Sequence, residues 1–264
     1  MVAAALRYLK PNAARAVIYG GKLPRGQPEF SGEHDVHHVG VIDARTLPAR
    51  LTLEDAGVEL LDIDTGLHDE EIGGAGKARY LEAIADLIKR RTQAFFVHSF
   101  SGIVRNAVNA GKPGSENNAP VHFVHNDYSA ISALRSVRAL LPDRADELLQ
   151  RPFAVINAWK PLYAAVEQHP LAVCDARTIE PTDLVPVTFE FAGRTGEMLS
   201  ANHREEHRWY YYSAMNPAEL LLMKLFESRA GESLWTLHTA FDDPTAPANP
   251  RPRLSIEVRN FVFF

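Results

Sequence analysis

The sequence predicts a mainly β chain with flanking helices (α+β), closed or layered into a double-sheet architecture of which jelly rolls and cupins are forms. Three observations predict it. From Phe153 to the end the chain is a succession of short aromatic or β-branched runs broken by turn residues: FAVINAWKPL, LAVCDARTI, LVPVTFEF, EMLSANH, RWYYYSA, ELLLMKLFES, LWTLHTAF and RLSIEVRNFVFF. So many strands at short spacing need two facing layers to bury their apolar sides. The first third instead mixes strands with a helix. Finally, 264 residues with 46% hydrophobic and 23% charged side chains suit one large domain with its own core.

Taken in order, ARAVIYG and HHVGVIDAR read as short strands either side of a Gly/Pro-rich turn region between Lys22 and Gly32. GVELLDIDT is a further strand. In GKARYLEAIADLIKRRT, Leu81, Ile84, Leu87 and Ile88 fall on one helix face. AFFVHSF reads as a strand, and residues 109–118, NAGKPGSENN, as a loop of the kind that can act as a lid. SAISALRSVRALLPDRADELL reads as a helix, a break at Pro142 and a second short helix, with Ser129 and Asp143 as N-caps. In NPAELLL, Pro217 would suit a first helical position. With no repeat and no linker, residues 1–264 form a single domain. Its mixed α/β part runs to about residue 115, and its jelly-roll core covers about 116–264.

The totals exclude several classes. A formal charge of −5 argues against a nucleic-acid partner, and the one dense basic run, Lys89-Arg90-Arg91, closes a helix where it suits the negative end of the dipole. No stretch is long and apolar enough to span a bilayer. The N-terminal small-apolar run is broken by Arg7 and Lys10 and makes a poor signal peptide. The one cysteine, Cys174, permits no intramolecular disulfide and reads as a buried small hydrophobe. The expectation is a cytoplasmic protein, away from membranes and nucleic acid, acting on a small molecule, with a homo-oligomer left open.

The chemistry concentrates at VHNDYS. On a strand, positions i and i+2 point to the same side, so His125 and Asp127 present a nitrogen and an oxygen toward one point. A carboxylate buried beside an imidazole needs something positive between them, either a proton or a metal. His238, in TLHTAFDDP on a late strand, would complete two nitrogens and one oxygen. That set is the facial triad of non-haem Fe(II) oxygenases, which leaves positions open for a co-substrate and dioxygen. About fifteen residues on, Arg253 and Ser255 share a strand face. A guanidinium grips a carboxylate through a planar fork and a hydroxyl can donate to the same oxygen, as the far carboxylate of 2-oxoglutarate requires.

Other residues carry plainer readings. His34, His37 and His38 beside Asp35 read as a solvated cluster, and His68, His98, His122 and His169 show no partner pattern. His203 and His207 lack the glutamate that a helical zinc motif places after its first histidine, Arg204 standing there instead. Candidate substrate contacts are Tyr128, Trp159, Lys160, Arg177, His203 and His207. The run Trp209-Tyr210-Tyr211-Tyr212 joins them, although alternate members of it would fill core and Arg177 could pair with Asp175. Asp242 and Asp243 before Pro244 read as turn caps.

The segments VHNDYS, FAVINAWKPL, PLAVCDARTI, HRWYYYSAMNPAE and HTAFDDPTAPANPRPRLSIEVR resemble the CmcJ/AsaB-type hydroxylase/desaturase family of secondary-metabolite clusters. The likeness runs from about VIDARTLPARLTLEDAGVELL to the C-terminus. It implies a double-stranded β-helix and Fe(II)/2-oxoglutarate chemistry with dioxygen, hydroxylating, desaturating or cyclising a small molecule. It places the metal on His125, Asp127 and His238, and the co-substrate on Arg253 and Ser255. Two places depart from the family pattern: FVHSFSGIVR, holding His98 and Arg105, and Lys160 where arginine would follow Trp159. A zinc hydrolase on the same triad, a non-catalytic cupin-like binding protein, and dioxygen chemistry without 2-oxoglutarate remain as alternatives.

Overall fold

Two facing β-sheets make the frame of the computed structural model, which describes residues 1–11, 16–20, 30–63, 76–109, 119–191, 194–229 and 235–264. The larger sheet has nine strands. Their order is β1 (Val2–Leu9), β3 (His34–Asp43), β11 (Trp209–Tyr211), β8 (Leu171–Cys174), β13 (His238–Ala240), β6 (His125–Asn126), β10 (Arg194–Ala201), β9 (Leu184–Phe191) and β2 (Val17–Gly20). The smaller has five, in the order β4 (Val58–Asp62), β12 (Glu219–Glu227), β7 (Phe153–Pro161), β14 (Leu254–Phe263) and β5 (Phe96–Asn106). Early and late strands mix in both sheets. The early β4 and β5 flank the smaller one, while β1 and β3 extend the larger. The mixed N-terminal part therefore supplies outer strands of the same two layers.

Burial explains why the middle strands read as near-continuous apolar runs. All nine residues of β7 and all nine of β12 are buried, because each strand is covered on both faces. Toward the larger sheet, Phe153, Val155, Trp159, Leu221, Met223, Phe261 and Phe263 meet Val173, Tyr210 and Tyr212. On the other face, Ile156, Ala158, Ile256 and Val258 meet the apolar stripe of α1 (Gly76–Thr92), led by Tyr80, Ile84 and Ile88. The basic end of α1 is also anchored, since Arg91 reaches Glu59 at 2.5 Å and Glu54 at 2.9 Å. A third cluster, with Tyr8, Cys174, Trp209 and Tyr211, lies on the larger sheet's other face. The aromatic run Trp209–Tyr212 is thus all core, split by strand alternation between two clusters.

Several local expectations change. Ser129 caps α2 (Ala130–Leu140) with a full capping box, its side chain accepting from the Ser132 N–H. Asp143 does not cap α3 (Ala145–Leu148). Arg144 holds that position and makes no side-chain cap, because the chain enters α3 one residue later than the sequence suggests. Pro217 lies in a turn closed by a Glu219 N–H bond to the Asn216 carbonyl, after which β12 begins directly. The N-terminal run that makes a poor signal peptide forms β1, with Val2, Ala4, Leu6 and Tyr8 inward. Lys22 to Glu29, His68 and residues 110–118 of the lid candidate lie outside the described residues.

Candidate metal centre

Strand pairing assembles the centre. His125 on β6 sits directly across from His238 on β13, and His238 is in turn paired with the inward-facing Val173. Both imidazoles therefore point between the sheets, with ring centroids 4.3 Å apart. Asp127 follows β6 by one residue, and its Oδ1 lies 3.7 Å from His125 Nε2. One ligating atom from each of the three falls within 4.8 Å of the others. The His125 Nδ1 stands 2.8 Å from the Phe123 carbonyl, which can only accept, so Nδ1 carries the proton and Nε2 keeps its lone pair. Thr236 offers its carbonyl to His238 Nδ1 in the same sense, at 3.5 Å.

Electrostatics set the charge states the centre needs. Burial, reinforced by His238, lowers His125 to about 3, which keeps that imidazole neutral. Burial alone would raise the Asp127 carboxyl, but Arg259 and the two histidines hold it well below the usual carboxylate range. Asp127 Oδ2 is held from two sides, by Arg259 Nη2 at 3.1 Å and Asn157 Nδ2 at 3.0 Å. That clamp occupies Oδ2 and leaves Oδ1 toward the histidines. One imidazole nitrogen from each histidine and one ionised carboxylate oxygen form the donor set of a facial triad.

Arg253 and Ser255 stand beside Pro161 and Trp159 on the face of β14 that looks between the sheets. Both are buried, and neither the Arg253 Nε nor the Ser255 Oγ has a hydrogen-bond partner among the described residues. The Asn157 Oδ1 beside Asp127 is likewise buried and unpartnered. Orphaned polar atoms of this kind are uncommon in native interiors and point to an absent ligand. Arg253 donates through Nη1 to the His169 carbonyl and stands 5.6 Å from the Trp159 ring. Burial and the neighbouring Arg105 lower its guanidinium to about 9. An unfilled guanidinium N–H on Arg253 and an unfilled hydroxyl on Ser255, with the Arg105 charge nearby, fit a carboxylate such as that of 2-oxoglutarate.

The other candidate contacts scatter. Tyr128 and Trp159 line the space between the sheets, Tyr128 with Arg259 6.0 Å from its ring. Lys160 is buried on the opposite face of β7, since its cross-strand partner Ile256 packs against α1. Arg177 is clasped by Asp175 through two bonds of 2.9 and 2.8 Å. His207 lies between Asp183, at 3.0 Å, and Tyr8, at 3.2 Å, on the far face of the larger sheet. His203 stacks there on His37 with centroids 3.9 Å apart. Asn157, Arg259 and Arg105 join the centre without having been singled out for it. For Arg259 the signal was present: in RLSIEVR, Arg253, Ser255, Glu257 and Arg259 alternate onto one strand face. For Asn157, which β7 brings opposite Arg259, it was not.

Comparison with known proteins agrees with this geometry. The model of the oxidoreductase/YMDC permease-like domain matches residues 6–263. The Fe(II)/2-oxoglutarate-dependent dioxygenase nvfI of Aspergillus novofumigatus is 34% identical over 189 residues, 70% of this chain and 66% of that protein. The hydroxylase/desaturase efuI of Hormonema carpetanum is 29% identical over 259 residues, 88% of this chain and 85% of that protein. The matches span somewhat under two thirds of the first three curated relatives, at 66%, 58% and 63% of their lengths. A single-substitution variant of the iron and alpha-ketoglutarate-dependent endoperoxidase NvfI superposes with a TM-score of 0.90. It is 28% identical and covers 99% of this chain and 96% of its own. Matched over nearly its whole length, the chain belongs to the oxidoreductase/YMDC permease-like domain family.

Proposed function

We propose that the protein is an Fe(II)/2-oxoglutarate-dependent oxygenase that hydroxylates, desaturates or cyclises a small-molecule intermediate of secondary metabolism. The observation that carries this reading is the pairing of a buried His-Asp-His donor set with unfilled donors on Arg253 and Ser255. His125, Asp127 and His238 would hold the iron, and Arg253 with Ser255 the far carboxylate of the co-substrate. When bound, iron and 2-oxoglutarate together supply dioxygen activation and abstraction of hydrogen from an unactivated carbon. The chain's own residues do the rest. Arg259 and Asn157 hold Asp127 Oδ2 and so turn Oδ1 toward the metal position, and the carbonyls of Phe123 and Thr236 orient the imidazoles. The apolar walls around Tyr128 and Trp159 exclude water and position the target bond. A cytoplasmic setting belongs to the same proposal: the only cysteine is buried and unpaired, and no helix among the described residues is long and apolar enough to cross a membrane.

The test is an anaerobic titration of metal-free protein with Fe(II) and then 2-oxoglutarate, followed by visible absorption. The expected result is a weak charge-transfer band that needs both components and disappears in Asp127→Ala and His238→Ala. Tight zinc binding with no band would overturn the reading in favour of a hydrolase.

A further inference from the structure

A second cluster of metal-ligating side chains lies apart from the triad. His122 precedes β6, His169 precedes β8 and Asp242 follows β13. These segments are distant in sequence but joined by their backbones. The Ala240 N–H donates to the Val121 carbonyl at 2.8 Å, and the Phe241 N–H to the Pro170 carbonyl at 3.2 Å. Each side chain of the cluster is the immediate neighbour of a residue in one of these bonds, so the three are held in place by the sheet itself. One ligand atom from each falls within 4.8 Å of the others. His169 Nδ1 lies 2.9 Å from Asp242 Oδ1, and the His122 ring meets His169 edge-on with centroids 4.6 Å apart.

We infer that His122, His169 and Asp242 form a second metal site, separate from the iron centre, for a divalent cation of the zinc type. Two imidazoles and one carboxylate suit Zn(II) or Co(II), whereas Mg(II) and Ca(II) prefer sets of oxygens. Asp242 is exposed and both histidines are half-buried, so water can complete a tetrahedral fourth position. Burial, together with His169, lowers His122 to about 4, which leaves its lone pair free for a metal at neutral pH. Arg253 and Arg7 also stand near His122 and oppose a cation, which points to moderate affinity. The cluster is wired to the co-substrate region, because the His169 carbonyl accepts from Arg253. A simple ion pair of His169 with Asp242 would give His122 no part, and at an exposed carboxylate it would contribute little.

The experiment is equilibrium dialysis of the metal-free full chain against Co(II), read by bound metal and visible absorption. Wild type is expected to bind two equivalents. Asp127→Ala should remove only the triad equivalent. His122→Ala combined with Asp242→Asn should remove only the other, with the circular dichroism unchanged. Asp242→Asn alone, at an exposed position, should weaken the second equivalent at least tenfold and guards against misfolding of the double variant. A single equivalent in wild type that Asp127→Ala abolishes would overturn the inference, as would a second equivalent indifferent to Asp242→Asn. Failure of the iron reading would show separately, as a single equivalent in wild type that Asp127→Ala leaves unchanged and Asp242→Asn weakens.

Discussion

Arg253 sits buried with an unfilled Nε, so its role in the proposed function would rest on a planar fork that an ammonium cannot reproduce. Arg253→Lys is expected to raise the Kd for 2-oxoglutarate by about tenfold or more, since hydrogen bonds to charged groups contribute about 1.5–3 kcal/mol. Isothermal titration with the iron-loaded protein checks this. An unchanged 2-oxoglutarate Kd with a raised substrate KM would assign Arg253 to the substrate instead. Asn157 is tested similarly. Its Nδ2 donates to Asp127 Oδ2, and Asn157→Ala should weaken iron binding about 10- to 100-fold, the range seen when outer partners of metal ligands are removed. Cys174 stands at the other extreme. Burial pushes its thiol up to about 12, so at pH 8 the reactive thiolate is almost absent. Native protein should resist iodoacetamide at that pH while unfolded protein is alkylated at once, as mass spectrometry would show.

At the scale of elements, the turn before β4 governs how β13 presents its histidine. Gly57 has φ 73°, in the left-handed region, and a Cβ there would come within 2.5 Å of the Thr236 Oγ1. Thr236 bonds the Gly57 carbonyl through that hydroxyl and offers its own carbonyl to His238 Nδ1. Gly57→Ala is therefore expected to destabilise the fold by about 1–2 kcal/mol from backbone strain alone. It should also weaken iron binding by displacing Thr236. Urea unfolding and metal titration on the same variant separate the two effects, and unchanged stability would refute the strain argument. The elements also differ in how far the sequence exposes them. The helical stripe of α1 is visible because 3.6-residue periodicity is local. The strand β1 is less visible, because three successive alanines, Ala3 to Ala5, carry little β propensity, and its pairing with β3 is what reveals it.

Over the whole molecule, burial of neutral histidines makes the metal-free protein acid-sensitive. His125 is lowered to about 3 and His122 to about 4, burial being the first cause of both. Their unfolded values lie near 6.5. Below that pH the unfolded chain takes up protons that the native chain does not, so stability rises with pH between the folded and unfolded values and falls as acid is added. Each group contributes at most about 1.4 kcal/mol per pH unit in that window. The Tm of metal-free protein should therefore drop between pH 7 and pH 5, and drop less steeply in His122→Phe. A flat profile would mean that these histidines are already hydrated in the native state. Iron should lift the curve most at neutral pH, where the ligands need no deprotonation.

The sequence by itself determined the strand-rich layered class, the α1 stripe and the Ser129 cap, because alternation, periodicity and capping are properties of neighbouring residues. It also brought out His125, Asp127, His238, Arg253 and Ser255 as candidates, since two of these pairs stand i, i+2 in the sequence and a donor set has few compositions. Only the tertiary structure decided which distant residues share the space between the sheets. It placed Asn157 and Arg259 on Asp127, turned Lys160 toward α1 and drew His203 and His207 into the Tyr8 network. It also gathered His122, His169 and Asp242, which have no pattern in sequence, through two backbone bonds between strand ends. The physical reason is range: strand register joins residues more than a hundred positions apart, and no local periodicity encodes that pairing.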